Sequence, residues 1–124
     1  MQIIVTDQAP KAIGPYSQAI REGNVIYTSG QIALDPATGS LVPGDFAAQA
    51  RRVFENLKAV LTAAGTNFSS VVKANVYLTD LANFDVLNGI YASYFGDTKP
   101  ARTTVGVTQL PKGGLVEIDL IAVL

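Results

Sequence analysis

The 124-residue chain contains no cysteine, no histidine and no tryptophan. Without cysteine there is no disulfide framework and no thiol nucleophile. Without histidine the usual general base near neutral pH is missing. The common ligand sets for zinc, copper and haem iron go with it, as does Ser-His-Asp chemistry. Charge is scarce: 15% of residues are charged, nine Lys and Arg against ten Asp and Glu, for a net charge of -1. Nucleic-acid binding draws most of its affinity from clustered cations. The one adjacent pair here, Arg51-Arg52, reads as a solvated helix face. No apolar run approaches the ~18 residues of a membrane span. The segment Met1 to Asp7 lacks the basic stretch and long apolar core of a signal peptide. With a pI of 5.2, a cytoplasmic protein that binds neither nucleic acid nor membrane is expected. Gly113-Gly114 is too short for a phosphate loop and precedes a strand rather than a helix. Chemistry must come from Arg, Asp or Glu, Tyr, Ser or Thr, Lys, backbone groups and water.

Apolar residues are what the chain has in plenty. They make up 48% of it, and mean hydropathy is +0.28. A domain of this size buries roughly two-thirds of its unfolded surface. Apolar side chains are left over, and an interface between copies is the simplest place to hide them. No repeat or linker divides the chain, so one domain over residues 1–124 is expected.

Patterning predicts the elements. Ile3-Ile4-Val5 opens a strand, and a loop follows from Ala9-Pro10 to Gly14-Pro15. Apolar stretches at Tyr16 to Ile20 and Val25 to Ser29 flank the turn Glu22-Gly23-Asn24. Asp35-Pro36-Ala37-Thr38-Gly39 is a second turn. From Phe46 to Ala64 a helix is predicted, with Phe46, Ala50, Val53, Leu57, Val60 and Leu61 on one stripe. Asp45 is placed to cap it and Gly65 to close it.

Val71 to Thr79 alternates as a half-buried strand, Val72, Ala74, Val76 and Leu78 on one face and Lys73, Asn75, Tyr77 and Thr79 on the other. Asp80 or Asn83 opens a second helix carrying Phe84, Leu87, Ile90, Tyr91 and Tyr94 at helical spacing and ending at Gly96. Strands from Arg102 to about Thr108 and from Leu115 to Leu124 close the chain. The order predicts an α+β fold, a mixed β-sheet with two helices packed on one face. In the last strand Val116, Ile118, Leu120, Ala122 and Leu124 point toward the helices. Leu115, Glu117, Asp119, Ile121 and Val123 form a second, largely apolar face with two carboxylates in it. Such a face suggests a subunit interface with a polar site.

Two charged residues stand in apolar strands. Arg102 follows Pro100-Ala101, and its planar fork of donors matches a carboxylate. An edge-strand arginine in solvent or in a structural salt bridge is the plainer reading. Glu117 lies among aliphatic residues, where burial raises a carboxyl pKa and a nearby arginine lowers it. It is a candidate to position or activate water, against the plainer reading of a partly exposed strand carboxylate. Asp119 points to the same face and spacing does not separate the two. Tyr16 follows the rigid Gly14-Pro15 turn. Ser29-Gly30 ends a strand where the backbone can approach a ligand closely. Lys73 is conceivable as a Schiff-base former, but it sits on an alternating polar face.

Together these segments resemble the RidA (YjgF) family. The motifs are Ala12-Ile13-Gly14-Pro15-Tyr16-Ser17-Gln18-Ala19, Tyr27-Thr28-Ser29-Gly30-Gln31-Ile32, Asp35 to Gly39, and Gln49-Ala50 through Asn56-Leu57. Val72 to Leu78, Pro100-Ala101-Arg102, Leu110-Pro111 and Val116-Glu117-Ile118 complete them, in order and over nearly the whole chain. The resemblance implies a single RidA-like domain of chorismate-mutase-like fold, assembled as a homotrimer with sites between subunits. It implies a deaminase without cofactor or metal, hydrolysing the enamines 2-aminoacrylate and 2-aminocrotonate, through their imines, to 2-keto acids and ammonia. Arg102 would bind the substrate carboxylate and Glu117 would hold the attacking water. Tyr16, Ser29 and Gly30 would line the pocket, with Asn88 at its rim. One departure stands out: Thr104 occupies the place where the family usually has a pocket cysteine. A thiol is therefore not needed here, while a hydroxyl and a backbone amide are still on offer.

If the last two strands paired as a hairpin around Lys112-Gly113, Glu117 would lie opposite about Val107. Arg102 would then be roughly 17 Å further along at ~3.4 Å per residue. For both to reach one small ligand, a neighbouring subunit must supply one of them or the strands must be bent or bulged, and a site shared between chains is expected. The rival readings are a keto-acid binding protein without turnover, an endoribonuclease and a chaperone-like protein. The missing cysteine favours the first, the lack of histidine and of a basic cluster disfavours the second, and a trimer interface explains the apolar excess more simply than the third.

Overall fold

In the computed structural model, which describes residues 1–124, the long apolar stripe folds as helix α1 (Phe46–Ala64). The Asp45 carboxylate accepts from the Ala48 N–H at 3.0 Å and satisfies one of the free donors of the first turn. Gly65 closes the helix at φ 85°, a left-handed conformation that strains any residue with a Cβ. Phe46, Ala50, Val53, Leu57, Val60 and Leu61 are all buried.

Six strands form one sheet: β1 (Gln2–Ile4), β2 (Ala19–Glu22), β3 (Val25–Thr28), β4 (Val71–Leu78), β5 (Ala101–Gly106) and β6 (Val116–Val123). Their order is β1-β2-β3-β6-β4-β5. β4 and β5 run parallel, and the other pairs are antiparallel. A parallel pair needs a crossover, and helix α2 (Phe84–Phe95) supplies it. Gly23 and Asn24 turn β2 into β3, with Glu22 opposite Val25. Asp80 caps a short 3-10 turn, Leu81–Asn83, through the Ala82 N–H at 2.9 Å, and α2 follows directly. Asn83 makes no side-chain cap.

Both helices cover one face of the sheet. Val116, Ile118, Leu120 and Ala122 of β6 are buried beneath them, with Ala74, Val76 and Leu78 of β4. This is the α+β arrangement that the order of elements predicts. Two details differ from expectation. Val72 is 47% exposed, because the β4–β6 register shifts between Val71 and Lys73 and Val71 takes the core place instead. The last two strands do not form a hairpin. β6 is inserted between β3 and β4, and β5 lies beyond β4 at the edge. Their connection carries a 3-10 turn, Pro111–Gly113, with Lys112 at φ 57°. A strand apolar on both faces suits the sheet interior, whereas β5 has no buried residue and suits an edge. No helix is long and apolar enough to cross a membrane.

Candidate functional site

Register assigns the candidate residues to faces. Arg102 is aligned with Ala74, which is buried under the helices, and in-register neighbours point the same way. Glu117 is aligned with Tyr77 on the opposite, uncovered face. The two residues are therefore two strands apart, offset by three residues and directed to opposite faces. Their Cα atoms lie on the order of 14 Å apart by ordinary sheet spacings. The last two strands do not pair as a hairpin, and in the observed sheet order one chain does not bring both side chains to one small molecule.

Glu117 faces a cleft of about 350 Å³, lined also by Tyr16, Ser29, Gly30, Gln31 and Ile32. Gly30 is there because nothing larger fits: a Cβ would stand 2.8 Å from the Glu117 carboxyl carbon. The Tyr16 hydroxyl accepts from the Ile13 N–H at 3.3 Å, and the Ser29 N–H donates to the Gln18 carbonyl at 2.9 Å. Burial pushes the Glu117 carboxyl above the usual carboxylate range, and the Asp119 charge adds to it. Asp119 is separated from Glu117 by its partners. Asn75 Nδ2 donates to it at 2.8 Å, and it does not line the cleft. Burial, then Asp119, pushes the Tyr77 phenol up. Lys73 Nζ donates to the Thr103 hydroxyl at 2.9 Å, away from the cleft.

Buried amide side chains hold the walls of this cleft. Gln18 Nε2 donates to the Pro10 carbonyl at 2.8 Å and the Thr6 carbonyl at 3.0 Å, fixing the loop after β1. Asn56 Nδ2 donates to the carbonyls of Leu34 at 2.9 Å and Ile32 at 3.3 Å, and Arg52 Nε donates to Asn56 Oδ1 at 2.9 Å. Gln49 Oε1 accepts from the Leu115 N–H at 2.9 Å, beyond the Pro111 turn. Each supplies a partner to backbone that would otherwise be buried unpaired.

Arg102 belongs to a different neighbourhood. Its Nη1 donates to Asn88 Oδ1 at 2.8 Å, and its guanidinium carbon stands 4.8 Å from the Tyr91 ring centre and 5.4 Å from that of Phe84. It stands on the edge strand but in no salt bridge: the one ion pair of the chain joins the N-terminal amine to Glu22. Burial pushes the Tyr91 phenol up, while the Arg102 charge pulls the other way. Thr104, two residues on, shares the helix-facing side. Its hydroxyl is buried without a partner. Val107 N–H donates to the Leu78 carbonyl at 2.8 Å. By the alternation of a parallel ladder, Arg102, Thr104 and Gly106 then turn their own N–H and C=O groups to the free edge.

The seven sequence candidates thus fall into two groups. Tyr16, Ser29, Gly30 and Glu117 share the cleft, while Arg102, Asn88 and Thr104 share the edge. The sequence candidates did not include Gln31 and Ile32, although both stand beside Gly30 in the Tyr27 to Ile32 motif. Phe84 and Tyr91, which helical spacing places on one side of α2, were not singled out as site residues; Tyr91 is partly buried against the core and Phe84 is exposed.

The family model for endoribonuclease L-PSP matches residues 6–124. A RutC family protein of Pyrococcus horikoshii is 52% identical over 121 residues, which cover 98% of this chain and 96% of that protein. A 2-iminobutanoate/2-iminopropanoate deaminase of Bos taurus is 50% identical over 122 residues, covering 98% and 89%. The crystal structure of RidA from an Antarctic Psychrobacter superposes with a TM-score of 0.96 at 50% identity, covering 100% of both chains. With one fold, half the sequence and nearly the full length in common, the chain belongs to the endoribonuclease L-PSP family, the RidA (YjgF) family that its motifs resemble.

Proposed function

We propose that this protein hydrolyses 2-iminobutanoate and 2-iminopropanoate, the imines of 2-aminocrotonate and 2-aminoacrylate, to 2-keto acids and ammonia. It does so in the cytoplasm, at clefts that neighbouring subunits of a homotrimer complete together. The observation that carries the reading is a guanidinium without a carboxylate and a carboxylate without a donor, on opposite faces of one sheet. Each half is incomplete, and apposing two copies joins them. The name borne by mammalian relatives at about this identity supports the same substrate class.

The chemistry needs orientation and one proton acceptor. The free donors of Arg102 clamp the substrate carboxylate, and the Thr104 N–H at the strand edge adds a neutral donor. Asn88 holds the guanidinium. Tyr16, Ser29 and Gly30 of the neighbouring cleft enclose the imine. Glu117 holds a water against C2 and takes its proton as the new C–O bond forms. A carboxyl with a raised pKa is a stronger base than an ordinary one. Glu117 hands that proton to the imine nitrogen, which gives the neutral carbinolamine; as the C–N bond breaks, the hydroxyl proton passes through Glu117 to the departing nitrogen, C2 becomes a ketone and ammonia leaves. Every step is made with these side chains, backbone groups and water.

The test generates 2-aminocrotonate in situ with a pyridoxal-phosphate dehydratase and follows keto-acid release. Wild-type protein is expected to accelerate release, and Arg102→Ala to lose about 100-fold or more in kcat/KM. No acceleration by wild type, with 2-oxobutanoate still bound, turns the reading to a keto-acid binding protein.

A further inference from the structure

An arginine that receives a carboxylate has to be ordered without being neutralised. A resident acid would order Arg102 but occupy the same donors, and none is within reach. What surrounds its guanidinium is one face of α2. Phe84, Asn88 and Tyr91 succeed one another at steps of four and three residues, which sets them on one side of the helix. Asn88 takes one N–H of Nη1, and the two rings stand 5.4 Å and 4.8 Å from the guanidinium carbon. Seven residues of helix rise about 10 Å. Both rings therefore border the guanidinium, Phe84 from the start of the helix and Tyr91 from about two turns further on.

We propose that Phe84 and Tyr91 are positioning residues that clamp the Arg102 guanidinium between two aromatic faces, and that this clamp sets the affinity for the substrate carboxylate. The inference rests on the deaminase reading for the identity of the substrate. Attraction between a cation and a ring face restrains the guanidinium plane and leaves its charge and its outward N–H groups free. Asn88, a neutral acceptor, removes one donor and no charge. The two jaws differ in stiffness. Tyr91 is packed against Phe95 at 4.3 Å and Phe54 at 6.0 Å between ring centres, so it is anchored in the core. Phe84 is the first residue of the helix and 37% exposed, so it is the looser jaw. The Tyr91 hydroxyl is buried and pairs with nothing in the chain. The ring is therefore its working part.

Phe84→Leu, Tyr91→Leu and Tyr91→Phe test the clamp by three readouts: 2-oxobutanoate titration, steady-state imine hydrolysis and the NMR signal of the Arg102 Nε–H. Both leucine variants are expected to weaken 2-oxobutanoate about 3- to 30-fold. KM rises in the same proportion, while kcat changes less than about 3-fold. The arginine signal, displaced by ring currents in the wild type, moves toward that of a free arginine. Tyr91→Phe restores both affinity and signal. An unmoved signal and unchanged affinity in the leucine variants overturn the clamp. So does a Tyr91→Phe variant as weak as Tyr91→Leu, which assigns the role to the hydroxyl. Should Tyr91→Leu fold poorly, Phe84→Leu at the exposed helix start still decides. The arginine signal is read without ligand, so it judges the clamp even if wild type hydrolyses no imine, a result that counts against the deaminase reading alone.

Discussion

The cleft around Glu117 and the sheet edge around Arg102 hold their charged groups by opposite means. At the cleft, loops form the walls, and Gln18, Gln49 and Asn56 tie those loops down through backbone carbonyls and amides. Glu117 itself is left with no donor beside a glycine that yields its Cβ space, and its pKa is raised. At the edge, a strand and a helix form the frame, and Arg102 is held by rings and one amide. A base is sharpened by taking hydrogen bonds away from it. A cationic receptor is prepared by confining it while its donors stay open. On the proposed reading the same sheet does both, one on each face.

Filling the space beside the carboxylate breaks the cleft half most severely. Gly30→Ala places a methyl where the Glu117 carboxylate stands and pushes it aside. A loss of about 100-fold in kcat is expected, with 2-oxobutanoate binding reduced far less. Equal losses in both would mean that Glu117 serves binding rather than proton transfer. Removing a pin comes next. Asn56→Leu strips the Ile32 and Leu34 carbonyls of their buried partner. Denaturant unfolding should show a loss of about 2–4 kcal/mol. A neutral result would remove the buried amides from the account of the cleft.

The smallest effect concerns stability against pH. The folded pKa of Glu117 is raised by burial first and by Asp119 second. Below about pH 4 the carboxyl is protonated in folded and unfolded chains alike and adds no cost. As pH rises through the folded pKa, the buried group ionises and stability falls. Glu117→Gln should therefore melt higher than wild type at pH 7, with the gap closing toward pH 4. A gap independent of pH would show that packing, not charge, is responsible.

Local signals made part of this legible. Asp45 and Gly65 bracket α1 at the predicted residues because capping is a local interaction. β6 shows both its faces because alternation along a strand is local too. The sheet order was not legible. Pairing β5 with β6 follows from their adjacency in sequence, whereas β6 pairs with β3 and β4, whose partners lie far along the chain. Val72 was misassigned because a bulge shifts the phase within an otherwise regular pattern. In the site, Arg102 and Glu117 stood out as charges among apolar residues. Phe84 and Tyr91 did not, since helical spacing looks the same whether a ring faces the core or a cation. The buried amides escaped notice because their backbone partners are up to 66 residues away.

On the proposed reading the two halves meet only across subunits, and mixing two inactive variants puts this to the test. Arg102→Ala lacks the edge half and Glu117→Gln lacks the cleft half. Unfolded together and refolded as mixed trimers, they should regain about a quarter of wild-type activity, because random assembly joins an intact edge to an intact cleft in that share of the interfaces. Activity that stays at the level of the separate variants, while mixed trimers demonstrably form, would place both residues in one subunit's site and contradict the account.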